Sequence, residues 1–460
     1  MDLKYAHPLT SQVSHAKTVM HGRISLINHD GSGLFAGIPS PFKAVRYHSL
    51  AIYPSDSSNE LNITAECDGE IMGIQHKTKL LFGIQFHPES VASEYGLSII
   101  SNFLKFITTS SPKSILNIGR ALDSKAKYEL SLKSIKIPFS ESLLPALHSK
   151  LFSKKLFSYW LDSSKSQLKE GIQGTSEYSI MGDCDDTFAI KYDIECKLIT
   201  FSNGSTIAAE SLFDWMSYLY KTIHVHVNNE IPFAGGFIGI FGYEMYSQSL
   251  NISCSSSGID AVFMWADRFL IFDHVKQELN LIVIYGNSES FVDEYKFLDE
   301  TEATLWQSSV MKNIEEIKLL ISSVSLKGSA RMIVSDEEYL HRIEEAFEQI
   351  RDGNSYELCL TTRFECNAED VDFNSLYYSV RIKNPAPFSA FISFQPFDLF
   401  ILSCSPERFI KISDHKVQMK PIKGTVKRSI DPIEDAKLAF DLAHDEKTMA
   451  ENLMVSPLLI

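Results

Sequence analysis

The spacing of apolar residues predicts a helix over residues 95–107. Leucine and isoleucine recur there every three or four positions, at Leu97, Ile100, Leu104 and Ile107, which is the period of one helix face. The next five residues, Thr-Thr-Ser-Ser-Pro at 108–112, are small and polar and end in a proline. Such a composition is typical of a linker, so residues 108–113 are predicted to separate two domains.

A second helix is predicted between Ser335 and Gly353. Ser335 and Glu338 have the spacing of a capping box, and Gly353 is a natural residue for the end of a helix. The face that we expect to be buried is apolar and contains Tyr339, Ile343, Ala346, Phe347 and Ile350. A last helix is predicted to begin near Asp431, and Pro457 should end it.

Strands are predicted where β-branched and aromatic residues cluster. Residues 1–107 alternate short strands with turns at Ser40-Pro41, Gly69 and Gly73. In the last third of the chain, strand-like segments cover residues 355–364, 388–394, 399–403, 408–412 and 417–422. Residues 114–330 mix strand and helix patterns without a repeat. The predicted organisation is therefore a first domain at 1–107, a linker at 108–113, a mixed region at 114–330 and a last domain at 331–460.

The composition is that of a soluble globular protein. The chain has 460 residues, enough for two or three domains, with 44% hydrophobic and 22% charged residues. Its net charge of −15 argues against nucleic acid or a membrane as a partner. The seven cysteines are odd in number and form no C-x-x-C pair, and residues 1–17 lack the apolar run of a signal peptide. We therefore expect reduced thiols and a cytoplasmic protein.

Two motifs with possible chemistry have simpler interpretations. Four glycines at 235, 236, 239 and 242 lack the G-x-G-x-x-G pattern of a phosphate loop, so we assign them to close backbone packing. His224 and His226 have strand spacing, but no third metal ligand lies near them in sequence. Two such histidines are typical of an exposed strand face.

The first domain contains two segments with a family signature. Residues 83–90, Gly-Ile-Gln-Phe-His-Pro-Glu-Ser, and residues 46–50, Arg-Tyr-His-Ser-Leu, resemble class I glutamine amidotransferases. In that family a Cys-His-Glu triad hydrolyses glutamine and releases ammonia. The resemblance implies that His87 is the general base, that Glu89 orients it, and that His48 and Ser49 lie in the glutamine pocket.

The cysteine of that triad has no counterpart among the seven cysteines. Its family context is Gly-X-Cys-X-Gly, and no cysteine here has it. Cys67, the one cysteine of this region, is too near His87 in sequence to fit the family pattern. The chain starts just downstream of the expected motif. We therefore expect that this chain does not hydrolyse glutamine.

Seven further segments, in order along the chain, resemble component I of the anthranilate and aminodeoxychorismate synthases. They lie at residues 157–163, 232–244, 267–274, 353–358, 384–388, 403–409 and 419–425. The resemblance implies α/β and α+β architecture, with the C-terminal part of an amidotransferase domain followed by an incomplete component I fold of large sheets flanked by helices. It also implies that chorismate and glutamine-derived ammonia are the substrates.

Lys423 distinguishes the two activities of this family. It occupies X in the run Pro-Ile-X-Gly-Thr, where relatives that make anthranilate usually have alanine. Relatives that make 4-amino-4-deoxychorismate, the precursor of p-aminobenzoate and folate, have lysine. The resemblance implies that Lys423 is a covalent nucleophile and that Glu407 protonates the leaving hydroxyl. Gly424 and Thr425 would form the adjacent pocket wall.

Two physical considerations bear on Lys423. Burial is expected to lower the pKa of a lysine and so to favour the nucleophilic amine. Outside the family context, the same residue could be a structural ion pair or a solvated lysine at a strand end. Inside it, covalent catalysis is the better interpretation.

The resemblance to the family weakens at the end of the sequence. Glu451 falls at the position of a family glutamate that binds Mg²⁺, but the match is lost after Met454. We therefore expect a chain truncated at both ends, derived from a fused amidotransferase–synthase and inactive alone. Two alternatives remain open: an anthranilate synthase-like enzyme, and a truncated product without catalytic activity.

Overall fold

A computed structural model describes residues 11–54, 60–90, 92–110, 128–163, 177–184, 188–227, 231–250, 258–286, 295–318, 330–355, 357–368, 371–413 and 416–458. The chain divides into two compact units. The first unit contains residues 1–120, 328–367 and 408–460, and the second contains residues 121–327 and 368–407. Both units combine sheets with helices, as the sequence predicts. The predicted domain boundaries at 107, 113 and 330 stay a prediction.

The strands, in chain order, are β1 (Ser11–His29), β2 (Phe42–Pro54), β3 (Leu61–Cys67), β4 (Glu70–His76), β5 (Phe82–Ile84), β6 (Phe86–His87), β7 (Tyr128–Pro138), β8 (Phe157–Asp162), β9 (Tyr178–Asp183), β10 (Ala189–Asp193), β11 (Leu198–Phe201), β12 (Thr206–Ala208), β13 (Ile223–His226), β14 (Gly236–Phe241), β15 (Ala261–Ala266), β16 (Arg268–Asp273), β17 (Glu278–Tyr285), β18 (Arg331–Met332), β19 (Phe364–Glu365), β20 (Phe388–Phe394), β21 (Leu399–Ser405), β22 (Arg408–Ser413) and β23 (Lys416–Lys420). The helices are α1 (Gly96–Ser110), α2 (Leu144–Leu151), α3 (Leu212–Thr222), α4 (Tyr246–Leu250), α5 (Glu300–Glu315), α6 (Asp336–Arg351), α7 (Phe373–Lys383), α8 (Pro432–His444) and α9 (Glu446–Leu458).

The first unit is built on an antiparallel sheet with the order β5-β4-β3-β1-β2-β6. Its core contains Phe35, Phe42, Met72 and Phe86. Gly69 forms the turn between β3 and β4, as predicted. Gly73 was predicted as a turn but lies inside β4. A side chain there would meet Ala65 and Thr64 of the neighbouring strand, so a glycine is required for packing and not for a turn. The sheet brings the amidotransferase-like segments together, since β6 pairs with β2.

Helix α1 confirms the predicted helix, although its buried face differs. Ile99 and Asn102 are buried, whereas Leu97 and Leu104 are exposed. The side-chain amide of Asn102 donates to the backbone oxygens of Leu34 and Ala36, at 3.0 and 2.9 Å. A buried amide with two such acceptors fixes the rotation of the helix. The helix also extends to residue 110, into the segment predicted as a linker, while residues 111–113 lie outside the described residues.

Helix α6 begins after Ser335 as predicted. The hydroxyl of Ser335 accepts a hydrogen bond from the backbone amide of Glu338, 3.1 Å away. The predicted apolar face is not buried, since Phe347 is exposed and every residue of the helix is at least partly exposed. The predicted strand at 355–364 is wrong, because within its described residues only Phe364 lies in a strand; Tyr356 of that segment lies outside the described residues.

The other strands and the last helix predicted for the last third of the chain are present in the structure. Strands β20, β21, β22 and β23 confirm the four other predicted segments there, with small shifts of their ends. The last helix is divided in two at Asp445, between α8 and α9. Helix α9 ends at Leu458, one residue beyond Pro457, and residues 459–460 lie outside the described residues.

The second unit has three layers. An eight-stranded sheet, β13-β7-β17-β16-β9-β8-β20-β21, shares one core with a five-stranded sheet, β12-β11-β10-β15-β14. Helices α2, α5 and α7 pack on the opposite face of the eight-stranded sheet, around Trp160. Strand β16 shows the arrangement: Phe269 and Ile271 face the first core, and Leu270 and Phe272 face the second. Burial of both faces explains why this strand has no polar alternation.

The glycines near β14 confirm the packing interpretation. A Cβ on Gly239 would lie 1.9 Å from the carbonyl oxygen of Val262, and one on Gly242 would lie 2.5 Å from that of Ile259. These positions require a residue without a side chain because the neighbouring backbone occupies the space. In the described residues, no helix is long and apolar enough to cross a membrane.

The first unit contains a buried ion pair that allows a stability prediction. The guanidinium of Arg46 is fully buried and pairs with Glu70, which is 3% exposed, and with Asp68, which is 79% exposed. Replacing Glu70→Gln leaves a buried charge without its main partner, and we expect a loss of about 3 kcal/mol of unfolding free energy. Replacing Asp68→Asn removes an exposed partner of the same arginine and should cost less than about 1 kcal/mol. Urea unfolding of the two variants measures the difference, and equal losses would contradict the prediction.

Candidate functional site

The predicted His87–Glu89 pair forms in the first unit. Strand β6 places His87 opposite Val45 of β2. The Nδ1 atom of His87 lies 2.7 Å from Oε1 of Glu89, and both side chains are 29% exposed. Burial alone would raise the pKa of the Glu89 carboxyl, but the hydrogen bond from His87, a backbone hydrogen bond and the charge of His87 outweigh it and lower the pKa. The pair is thus an ionisable dyad with an oriented imidazole.

His48 lies on β2, next to the buried Arg46. Its Nδ1 donates to the carbonyl oxygen of Leu50, 2.9 Å away, and its Nε2 accepts from Nε of Arg46 at 3.1 Å. Burial, followed by the charge of Arg46, lowers the pKa of His48. His48 is therefore a neutral, buried residue whose two ring nitrogens both have protein partners. Ser49, next in the chain, is half-buried.

Cys67 does not have the environment of a reactive thiol. It is 4% exposed and belongs to the core of the first unit. Its Sγ contacts Arg46 at 3.5 Å and Asp68 at 3.4 Å. Burial, together with the hydrogen bond to Asp68, raises the pKa of this thiol, which disfavours the thiolate. The prediction that Cys67 is not the amidotransferase nucleophile agrees with this environment.

Lys423 is ion-paired in the structure. Its Nζ donates to Oε1 of Glu357 at 2.8 Å, and the two side chains are 29% and 35% exposed. The hydrogen bond to Glu357 raises the pKa of Lys423 and outweighs burial, and the charges of Glu357 and Glu451 raise it further. The expectation that burial lowers this pKa is therefore wrong. The carboxylate partner matters more here than the partial loss of solvent.

Two glycines let the chain approach helix α9 closely. Gly424 has a φ of +73°, and a Cβ there would lie 2.2 Å from Cγ2 of Thr448. Gly22, at a bulge in β1, has a φ of +64°, and its Cβ would lie 2.8 Å from the Cα of Ala450. Neither conformation nor space suits a larger residue. Gly424 therefore acts through backbone packing, which places Lys423 beside α9, whereas Thr425 is exposed.

An open cavity of about 1250 Å³ lies beside these residues in the first unit. It is lined by Val19 and residues 21–24 of β1, by Ile350, Glu357 and Leu358, and by residues of the segment 445–451. Glu451 lines it and lies 3.8 Å from Lys447 on the same helix. Mg²⁺ is usually held by one or two carboxylates together with water and substrate oxygens. A half-exposed carboxylate at the cavity wall fits one such ligand.

Glu407 belongs to the second unit, whereas Lys423 belongs to the first. Its side chain is exposed, and its backbone amide donates to the hydroxyl of Ser405 at 3.4 Å. Its role as the acid stays a prediction.

The sequence patterns indicate no role for Glu357, Arg46 or Glu70. Glu357 lies within the family-like segment 353–358, and the only local indication of a functional role was that its side chain is a carboxylate. Its pairing with Lys423, 66 positions away, has no local pattern. Arg46 likewise lies in a family-like segment, but its buried pairing with Glu70, the first residue of β4, depends on the tertiary packing of β2 and β4.

Two family models match parts of the chain. Residues 177–460 match the family model described as chorismate binding enzyme, and residues 5–106 match that of class I glutamine amidotransferase. The first match covers more than half of the chain. The chain therefore belongs to the chorismate-binding enzymes, and an amidotransferase segment precedes that region, as the sequence predicted.

Individual relatives are similar to nearly the whole chain. The chain is 30% identical to aminodeoxychorismate synthase of Streptomyces griseus, over 98% of this chain and 63% of that protein. It is 28% identical to the chloroplastic aminodeoxychorismate synthase of Arabidopsis thaliana, over 99% and 64%. The crystal structure of anthranilate synthase component I from Streptococcus pneumoniae aligns with a TM-score of 0.47 and 24% identity, over 64% of this chain and 62% of that one. The chain thus spans less than two thirds of the length of these relatives.

The ion pair at Lys423 allows a direct test. Replacing Glu357→Gln removes the main cause of the raised lysine pKa, so the amine should lose its proton at lower pH. Competitive labelling of Lys423 with acetic anhydride across a pH series, read by peptide mass spectrometry, measures this pKa. The matched control is Glu446→Gln, since Glu446 lines the same cavity but is not among the groups that shift the lysine pKa. Identical titration curves for the two variants would refute the assigned cause.

The close approach at Gly424 gives a second prediction. Replacing Gly424→Ala adds a methyl group against Thr448 in a left-handed conformation, and we expect a loss of about 2–4 kcal/mol of unfolding free energy. Gly37→Ala is the control, because Gly37 has a φ of +76° and no neighbour within 4 Å; it should cost about 1 kcal/mol. Adding Thr448→Ala to the first variant should recover part of the loss. Urea unfolding tests all three, and equal losses for the two glycine variants would exclude the steric explanation.

Proposed function

We propose that this protein takes part in the synthesis of 4-amino-4-deoxychorismate from chorismate and glutamine-derived ammonia, in p-aminobenzoate and folate biosynthesis. The observation that carries this proposal is Lys423, a lysine in the Pro-Ile-X-Gly-Thr run, held by Glu357 near the cavity that Glu451 lines. The resemblance to aminodeoxychorismate synthases over nearly the whole chain supports it.

The proposed chemistry begins with attack by the neutral amine of Lys423 on C2 of the chorismate ring. The ring double bonds shift, and the C4 hydroxyl takes a proton from a general acid and leaves as water. The new C–N bond makes the lysine nitrogen positive, and it then releases a proton. Ammonia next attacks C4, the double bonds shift back, and the lysine amine leaves C2. The net reaction joins ammonia to C4 and releases one water.

Glu357 controls the resting state of the nucleophile. Its carboxylate favours the charged lysine, as the raised pKa of Lys423 indicates. Attack requires the uncharged amine. The fraction of protein with a free amine therefore grows as the pH rises through this raised pKa, and the rate of adduct formation should grow with it. The proton of Lys423 has an acceptor within reach in the Glu357 carboxylate, 2.8 Å away.

Glu451 would hold Mg²⁺ at the cavity wall. When bound there, the ion would neutralise negative charge on the substrate carboxylate. The chain's own contribution is a carboxylate on α9 whose position depends on the packing of Gly424 and Gly22 against that helix.

His87 and Glu89 would serve the supply of ammonia. A neutral imidazole oriented by a carboxylate is suited to taking the proton of a thiol that attacks glutamine. Cys67 is unsuited to be that thiol because of its burial and raised pKa. The cavity is lined both by β1, which belongs to the amidotransferase-like segment, and by Glu357 and Glu451. This shared space supports the delivery of ammonia towards Lys423.

The experiment uses protein expressed from its complete coding sequence, incubated with chorismate, Mg²⁺ and ammonium. We expect 4-amino-4-deoxychorismate as the product. Without ammonium, we expect the Lys423 peptide to carry the mass of chorismate less one water, detected by mass spectrometry. Lys423→Ala should abolish both signals, because it removes the amine that is proposed to form the adduct.

The control is Lys427→Ala, which removes an exposed lysine four positions away and should leave both signals unchanged. Full turnover by Lys423→Ala would exclude the covalent role. Anthranilate as the product would favour the alternative of an anthranilate synthase-like enzyme. Absence of chorismate binding with Mg²⁺ present would favour the alternative of a non-catalytic protein.

A further inference from the structure

An exposed cluster of two histidines and a glutamate lies at one edge of the eight-stranded sheet. Strand β13 is the edge strand and pairs in parallel with β7. In this register His224 lies opposite Glu129, and His226 lies opposite Ser131. Side chains alternate along each strand, so His224, His226 and Glu129 share the outer face, while Leu130 and Val225 pack in the core.

The three side chains are close enough to act together. Nε2 of His226 lies 2.9 Å from Oε2 of Glu129. One potential ligand atom from each of His224, His226 and Glu129 can be chosen so that all three lie within 4.8 Å of one another. The two imidazole rings are nearly perpendicular, with centroids 4.8 Å apart. Within the described part of the chain, this is the one group of three or more such side chains with that proximity.

This arrangement changes the interpretation of the two histidines. The sequence offers no third ligand near His224 and His226, and two histidines alone would be an ordinary exposed strand face. The parallel pairing supplies Glu129 from a distant part of the chain. Two imidazoles and one carboxylate form a recognised three-ligand set for zinc, which leaves the fourth tetrahedral position for water.

We propose that His224, His226 and Glu129 bind Zn²⁺. Tetrahedral nitrogen and oxygen ligands at about 2.0–2.1 Å from the ion lie about 3.3 Å apart. The His226–Glu129 distance is already shorter than this, and small side-chain rotations of exposed residues would close the remaining gaps. The three residues belong to the second compact unit, whereas Lys423 and Glu451 belong to the first.

Zinc at this position would join β13 to β7. Edge strands have one unpaired side and open more readily than central ones, and β13 has only four residues. Because the ion would have ligands on both strands, β13 could separate from β7 only after the ion was released. Zinc should therefore slow amide hydrogen exchange in Ile223–His226. Because protons compete with the metal for the histidine nitrogens, this effect should weaken on acidification.

The test is calorimetric titration of the metal-free full chain with zinc chloride. Thiolates are strong zinc ligands, and Cys196, Cys359 and Cys366 are exposed, so these thiols are first blocked with iodoacetamide. We expect one saturable equivalent of zinc. His226→Gln and Glu129→Gln should each weaken it by at least about tenfold. His341→Gln is the control, because His341 is exposed and pairs with a glutamate on its own helix, and it should bind as the unmodified sequence does.

Two further measurements distinguish a specific metal site from nonspecific binding. Cobalt chloride in place of zinc should give the intense visible absorption of a tetrahedral centre, and His224→Gln should remove it. Hydrogen exchange should slow in Ile223–His226 on addition of zinc, and not in His226→Gln. The absence of saturable binding, or equal affinity in the His226→Gln and His341→Gln variants, would overturn the proposal. Circular dichroism verifies that each variant is folded.

Discussion

The candidate active site depends on a constraint of space around helix α9. Gly22 from β1 and Gly424 from the Lys423 segment both approach this helix so closely that a Cβ on either would overlap it. The helix carries Glu451, and Lys423 is the residue next to Gly424. Packing of two backbone segments against one helix thus determines where the lysine and the carboxylate lie. This steric constraint does not depend on electrostatic attraction between them. This constraint explains why a glycine follows the proposed nucleophile.

The two candidate centres of the first unit use carboxylates in different ways. Glu89 orients His87, and its own pKa is lowered by that contact. Glu357 raises the pKa of Lys423 and stabilises the charged amine. In the first case the charged carboxylate supports the function of the base. In the second it opposes the uncharged form that attack requires, so the ion pair describes the enzyme at rest.

Local features were predicted well where the physical cause is local. The cap at Ser335 and the helical period of residues 95–107 depend on a few neighbouring residues, and both helices form. The buried face of α1 was not predictable, because Asn102 turns the helix by binding carbonyl oxygens far away in sequence. The segment 355–364 has strand propensity, yet pairing with a neighbouring strand decides whether a strand forms, and only Phe364 is paired there.

The sequence by itself determined the family, the lysine at position 423 and the His87–Glu89 pair, because these are residue identities within short segments. Only the tertiary structure decided which carboxylate contacts Lys423, since Glu357 lies 66 positions away. It also decided that Glu129 joins His224 and His226, through the register of two parallel strands. The physical reason is the same in both cases: contacts between distant segments depend on strand pairing and close packing, which no local pattern of residues encodes.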